Sequence, residues 1–198
     1  MSLQGGKIAG GNPETKRADL DYYATNPVAV EMLLNNHHFN SRQTILEPCV
    51  GGGHIANYIS SIYRSSDITG IDLAYRGYKD TIVADYLTYE TDKKYDLIIT
   101  NPPFSQAQEF IEKSIDLIND SGSVAMFLKL NFLEGVKRKE FFEKHPPKYI
   151  YVFRKRMATW KNGNPINPET NKKWSETICF AWFIWEKNSK TEPIIRWL

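Results

Sequence analysis

Three acids and one amide stand where the chain should leave a sheet. Glu47 ends the short apolar run Thr44-Ile45-Leu46, Asp72 ends residues 67–72 (DITGID), and Asp85 follows residues 81–84. Asn101 follows the β-branched run Leu97-Ile98-Ile99-Thr100, and after it come Pro102, Pro103 and Phe104. Short apolar runs of this kind read as strands buried on both faces. Neither proline has an N–H for a ladder and each fixes its own φ, so the last of these strands must stop at Asn101. In an open α/β sheet, ligands bind beyond the carboxyl ends of the strands. Carboxylates, an amide, a rigid turn and an aromatic ring therefore share the rim where chemistry is expected.

Between Glu47 and Asp72 lie Pro48, Cys49, Val50 and the glycines 51–53, then a helical pattern from residue 54 to about 64. Strand, glycine turn and helix in this order form a βα unit whose turn lets a ligand approach the backbone closely. The dinucleotide pattern GxGxxG is not completed, because Ala56 holds its third glycine position. Carboxylates beside such a turn repel a pyrophosphate but suit a ligand with a ribose, an amine and a cationic centre. S-adenosylmethionine fits that description better than a dinucleotide. Asp72 lies about 20 residues past the turn, where an acid at the next strand end bonds ribose hydroxyls. The competing reading for each acid is a helix cap or a solvated loop tip.

The elements that position these residues follow from periodicity. Residues 1–20, rich in Gly and polar groups, read as a flexible lead-in. Asn26 as cap and Pro27 in the first turn start a helix whose apolar face is Val28, Val30, Met32, Leu33 and Leu34, ending near 35–38. A helix over 106–119 is stopped by Asp120-Ser121-Gly122, and a buried strand follows over 123–130. A short helix over 137–144 is broken by His145-Pro146-Pro147. Strands over 149–153 and 177–185 flank a polar loop, 154–176, which opens on Arg154 and closes on Glu176. The alternation predicts a doubly wound, Rossmann-like α/β sheet of seven strands, mostly parallel, with a C-terminal antiparallel hairpin. Residues 21–198 form one domain on this reading.

Composition narrows the options. With 198 residues, two full domains are a tight fit. Net charge is +2, too small to demonstrate a polyanionic partner, but Arg154, Lys155, Arg156, Trp160, Lys161, Lys172, Lys173 and Trp174 mix cations with aromatics as nucleic-acid surfaces do. Cys49 and Cys179 have neither zinc nor disulfide spacing, and His37, His38 and His54 have no ligand partners and read as surface or helix-end residues. No metal is expected. Neither a signal peptide nor an apolar run of about 20 residues is present, so no membrane is expected and a reducing cytoplasm fits best. Trp182 and Trp185 read as core; Tyr22 and Tyr23 read equally as core or pocket.

EPCVGGG, GID, ADY and above all NPPF, in this order and spacing, resemble the S-adenosylmethionine-dependent amino-methyltransferases, most specifically the DNA adenine-N6 methyltransferases. The segment YYATNPVAVEMLL resembles the stretch that packs over the methionine part of the cofactor in many of them. The closing AWFIWEKNSKTEPIIRWL resembles small phage-encoded DNA methyltransferases. The likeness spans about residues 21–198 and implies the seven-stranded fold of the class I methyltransferases. It also implies that Asn101 and Pro102 accept the hydrogens of an exocyclic amine, held by Pro103, while Phe104 stacks on the base. For the cofactor it implies Glu47, Gly51 and Gly53 on the methionine side, Asp72 at the ribose, Asp85 and Tyr86 at the adenine, and Thr25 and Pro27 closing the pocket. Tyr22, Pro48, Leu73 and Asn101 complete that wall.

An amine inside a duplex is reached only after the base leaves the stack. Larger DNA methyltransferases carry a recognition domain for this, and the motif order leaves only loop 154–176, with residues 131–139, to touch nucleic acid. The expectation is short or relaxed recognition of DNA, by a monomer or weak dimer. RNA or cytosine-N4 methylation, and a non-catalytic module that binds cofactor or nucleic acid, are the alternatives.

Overall fold

The computed structural model describes residues 22–39, 43–189 and 191–198, so the expected lead-in, residues 1–20, lies outside the described residues. In chain order these are β1 (Tyr23–Ala24), α1 (Pro27–Asn36), β2 (Thr44–Glu47), α2 (His54–Ile62), β3 (Asp67–Asp72), β4 (Ile82–Val83), β5 (Tyr95–Thr100) and α3 (Ala107–Leu117). Then come β6 (Ile118–Lys129), α4 (Lys139–Lys144), β7 (Tyr149–Val152), β8 (Trp160–Lys161), β9 (Ile166–Asn167), β10 (Lys172–Lys173), β11 (Phe180–Glu186) and β12 (Ile194–Trp197). The central sheet has the order β12-β7-β11-β6-β5-β2-β3-β4. All of its strands run the same way except β11, which is antiparallel to both β6 and β7.

Local chemistry accounts for the helix starts. The Asn26 side chain accepts the Val28 N–H at 3.0 Å, and Pro27, whose missing N–H would be unpaired anyway, opens α1. Helix α2 has no side-chain cap from its own N-cap residue, Gly53; the Glu47 carboxylate at the end of β2 instead accepts the Ala56 N–H at 2.8 Å.

Period-two alternation divides the sheet between two cores. In β5, Leu97 and Ile99 pack with α1 and α2 residues Val30, Leu33, Ile55 and Ile59. Ile98 faces the other way, toward Phe110 and Ile111 of α3. Trp182 and Trp185 are buried, and the Trp182 indole donates to the Ala29 carbonyl at 2.9 Å, tying β11 to α1.

Two expectations change and two are sharpened. The central sheet has eight strands, not seven, because residues 194–197 add β12 beside β7. Asp120-Ser121-Gly122 does not end a helix in a turn: β6 starts at Ile118, and the polar residues form an irregularity where Tyr95 pairs with Ile118 but Leu97 with Ser123. Loop 154–176, expected only as a polar loop, carries short strands: β8 pairs with β1, and β9 with β10. His37 is a helix-end residue, as one of its two expected readings had it, but it is buried there, its Nδ1 2.9 Å from the Tyr151 hydroxyl, and burial pushes its pKa down to about 4.

Candidate active site

Strand order brings the polar residues together. Glu47, Asp72, Asp85 and Asn101 fall at or just past the carboxyl ends of β2, β3, β4 and β5, which are neighbours in the sheet. Lys129 ends β6, and because β11 runs oppositely its first residue, Phe180, lies directly beside Lys129 on the same rim. A cavity of about 950 Å³ opens there. The acids line it from the β2-β3-β4 side, and Asn101, Pro102, Pro103, Phe104, Lys129 and Phe180 from the β5-β6-β11 side. Its volume is at the upper end of small-ligand pockets, about 300–1,000 Å³, which leaves room for two planar ligands.

On the acid side, Glu47 is only 2% exposed, and burial raises its pKa well above the ordinary 4.5. A cation bound nearby would favour its ionised form. Asp72 accepts N–H bonds from Gly51 (2.9 Å) and Ala74 (3.1 Å), and the Arg76 guanidinium lies 3.5 Å away. It thereby fixes the glycine turn and the chain after β3 while its remaining lone pairs border the cavity. Asp85 accepts the Leu87 N–H at 2.9 Å. Thr25 is buried in the cavity wall, and its hydroxyl oxygen has no hydrogen-bond partner among the described residues. An orphaned buried hydroxyl is costly, and a hydrogen-bond partner supplied from the cavity would offset that cost.

Of the other residues expected around a cofactor, Tyr22, Pro48, Leu73 and Tyr86 line the cavity, whereas Pro27, Gly51 and Gly53 do not. Gly51 and Gly53 hold φ of +53° and +79°, and a Cβ on either would collide with the ring of Tyr22 or Tyr78. The close approach these glycines permit is to the protein's own tyrosines. The Gly52 N–H donates to the Tyr22 hydroxyl at 2.8 Å, and Arg76 covers the Tyr22 ring at 4.6 Å. Tyr86 is buried, bonded to Ser114 at 2.9 Å, and its burial raises its pKa.

On the amide side, the Asn101 Nδ2 donates to the Tyr23 carbonyl at 2.8 Å. A carbonyl accepts only from a donor, so the amide orientation is set and Oδ1 is the atom left as an acceptor. The Pro103 carbonyl takes the Gln106 N–H at 3.0 Å, while the Pro102 carbonyl accepts no such bond among the described residues. The Phe104 ring packs against Phe180 at 5.8 Å and lies under the Lys129 ammonium at 4.7 Å. Tyr23 is held in β1 by pairing with Lys161, and the Asn162 N–H donates to the Tyr22 carbonyl at 3.0 Å. Loop 154–176 thus straps the segment that orients Asn101.

Sequence reasoning missed several contributors. His54, expected at a surface or helix end, starts α2 but also lines the cavity, 3.4 Å from the Tyr22 hydroxyl and edge-on to Trp160. Burial lowers its pKa. Lys129, Thr159, Ile178 and Phe180 also line the cavity. The strand-end position of Lys129 was the one available signal; the others depend on how β11 and the loop return to the rim. Trp160 and Trp174 are already engaged, Trp174 through its indole N–H to the Asn164 carbonyl at 2.6 Å. Among the described residues no cluster of metal-ligating side chains occurs, and no helix is long and apolar enough to cross a membrane.

No family model matches the chain. A type II methyltransferase of Paramecium bursaria Chlorella virus XZ-6E is 40% identical over 68 residues, covering 30% of this chain and 18% of that protein. The structure is similar to the methyltransferase subunit of a type I restriction-modification system from Streptococcus thermophilus, with TM-score 0.63, 15% identity, and 91% of this chain and 48% of that one covered. It is also similar to a protein of Listeria monocytogenes assigned as a class I S-adenosylmethionine-dependent methyltransferase, with TM-score 0.55, 13% identity, and 86% and 61% covered. The chain therefore spans less than two thirds of each of these relatives. Its doubly wound, mostly parallel sheet is the Rossmann-like fold of the class I S-adenosylmethionine-dependent methyltransferases.

Proposed function

We propose that this chain transfers a methyl group from S-adenosylmethionine to the exocyclic N6 amine of adenine in DNA, on a base turned out of the stack. The observation that carries the reading is the Asn101 amide, whose Nδ2 is committed to the Tyr23 carbonyl so that Oδ1 remains as acceptor beside Pro102 and Phe104. The relatives support the class: one is a type II methyltransferase and another belongs to a restriction-modification system.

The residues present fit the cofactor. Asp72 would accept from ribose hydroxyls, Glu47 would stand near the cationic methionine end, Asp85 and Tyr86 would bound the adenine, and the Thr25 hydroxyl would gain the partner it lacks. When bound, the cofactor supplies a methyl group on a sulfonium and leaves as a neutral thioether.

The chain's own work is at the acceptor. An adenine amine is a poor nucleophile because its lone pair is delocalised into the ring. Asn101 Oδ1 and the Pro102 carbonyl, each accepting one amine hydrogen, draw that lone pair back to nitrogen and hold it in line with the methyl carbon. As the N–C bond forms the S–C bond breaks, and the surplus N–H proton passes to solvent. Phe104 stacks on the base, a contact worth roughly 1–3 kcal/mol in nucleic-acid complexes. The cations of loop 154–176, including exposed Lys172 and Lys173, meet the DNA backbone.

The test is transfer of tritium from labelled cofactor to DNA, RNA and protein, by wild type and by Asn101→Ala. DNA labelled by wild type and not by the variant supports the reading. Labelling of RNA or protein alone, or equal transfer by the variant, overturns it.

A further inference from the structure

A second cavity of about 370 Å³ adjoins the first and shares Phe104 and Ser105 with it. It is at the small end of ligand pockets, with room for a single nucleotide. Phe132, Val136, Lys137 and Arg138 form one side; Gln108 and Glu109 of α3 form the other.

The loop on the first side is built to hold a shape. Gly135 turns the chain at φ +113°. The Arg138 guanidinium donates to the Phe132 and Glu134 carbonyls (3.3 and 2.5 Å) and lies 4.7 Å over the Phe132 ring, so this cation serves the loop itself. The result presents two groups outward. Val136 is 95% exposed, the most exposed large apolar side chain among the described residues. Lys137 is exposed and enters no ion pair among the described residues, whereas Lys139 pairs with Glu143 at 3.7 Å. An apolar tip next to a cation, on a clamped loop beside Phe104, matches the two parts of a nucleotide: a base face and a phosphate. The Glu109 carboxylate opposite repels phosphate, which places the phosphate on the Lys137 side.

We propose that this second cavity takes the nucleotide adjoining the acceptor on the same strand, with its base against Val136 and its phosphate at Lys137. The inference rests on the reading of Asn101–Phe104 as the acceptor site. It assigns part of the sequence context to residues 135–138.

The test pairs Val136→Ser and Lys137→Gln with single-stranded oligonucleotides carrying one adenine, either intact or with an abasic position on its 5′ or its 3′ side. Methyl transfer gives KM, and fluorescence anisotropy of the same labelled oligonucleotides gives Kd. In wild type, one of the two abasic positions should raise KM about five- to tenfold. In Val136→Ser the intact oligonucleotide should show a similar rise, and the abasic position should add little to it. Lys137→Gln should reduce the slope of log Kd against log salt by about 0.7. The proposal is overturned if neither variant changes KM, Kd or the salt slope, or if the abasic loss is the same in Val136→Ser as in wild type. If wild type labels no oligonucleotide, the methyl-transfer reading is the part that fails. The second cavity is then decided by anisotropy alone: Kd responses to variant and abasic position support it, and unchanged Kd values overturn it.

Discussion

The two sides of the main cavity are made in different ways. On the acid side the three carboxylates bond within their own βα units: Glu47 holds Ala56, nine residues on; Asp72 holds Ala74 and Gly51, two and 21 residues away; Asp85 holds Leu87, two residues on. On the amide side Asn101 is oriented by Tyr23, 78 residues away, and Tyr23 is held by the pairing of β1 with β8. Phe104 meets Phe180, which arrives on the antiparallel strand β11. A nearby partner needs only a strand, a turn and a helix start, whereas the amide side needs remote segments to dock first. The acids should therefore bind through their own βα units, with Tyr22 as the one remote contact to the glycine turn, and the amide side should act only once it is assembled.

Four measurements sharpen or break that division. The largest effect is expected for Asn101→Ala: kcat should fall about 100- to 1,000-fold, as for loss of one aligned polar group at a reacting centre, with cofactor Kd within about threefold of wild type. Comparable losses in both would place Asn101 in the binding surface. Asp72→Ala should do the converse, weakening cofactor uptake in calorimetry about 10- to 100-fold through loss of charge-assisted hydrogen bonds. Asn162→Pro removes the N–H that Tyr22 accepts and cannot take the observed φ of +52°. Its kcat should fall about tenfold by loosening Tyr23 and hence Asn101, with a smaller change in cofactor Kd. Equal change in the two would erase the division.

The smallest effect concerns stability. Burial raises the Glu47 pKa above its unfolded value, so the group contributes most stability below pH 4.5 and loses it as pH rises through the raised pKa. Glu47→Gln keeps an acceptor for the Ala56 N–H and removes the titration. At pH 8 its Tm should exceed wild type by about 2 °C or more, the gap closing below pH 4.5, while cofactor uptake weakens. A Tm gap independent of pH would mean that Glu47 does not titrate against folding.

The same contrast explains what the sequence could show. Strand ends at Glu47, Asp72 and Asn101 are local events, set by apolar runs, glycines and prolines, and they were legible. The start of α1 was readable for the same reason, from Asn26 and Pro27. The β1–β8 ribbon was not, because two residues of strand carry no period and their pairing spans most of the chain. β12 was hidden likewise: a four-residue exposed edge has no buried alternation to announce it. His37 and His54 read as surface or helix-end residues; they do sit at helix ends, but nothing in their neighbours reveals Tyr151 or Trp160. Asn101 itself was visible, but not the bond from its Nδ2 that leaves its oxygen as an acceptor.

That bond bears on the central claim, which names both a base and an atom. The most direct measurement is mass analysis of nucleosides from DNA incubated with the purified chain and S-adenosylmethionine. The expected result is N6-methyldeoxyadenosine, absent with Asn101→Ala. Methylated deoxycytidine in its place, or no modified nucleoside from DNA, would contradict it.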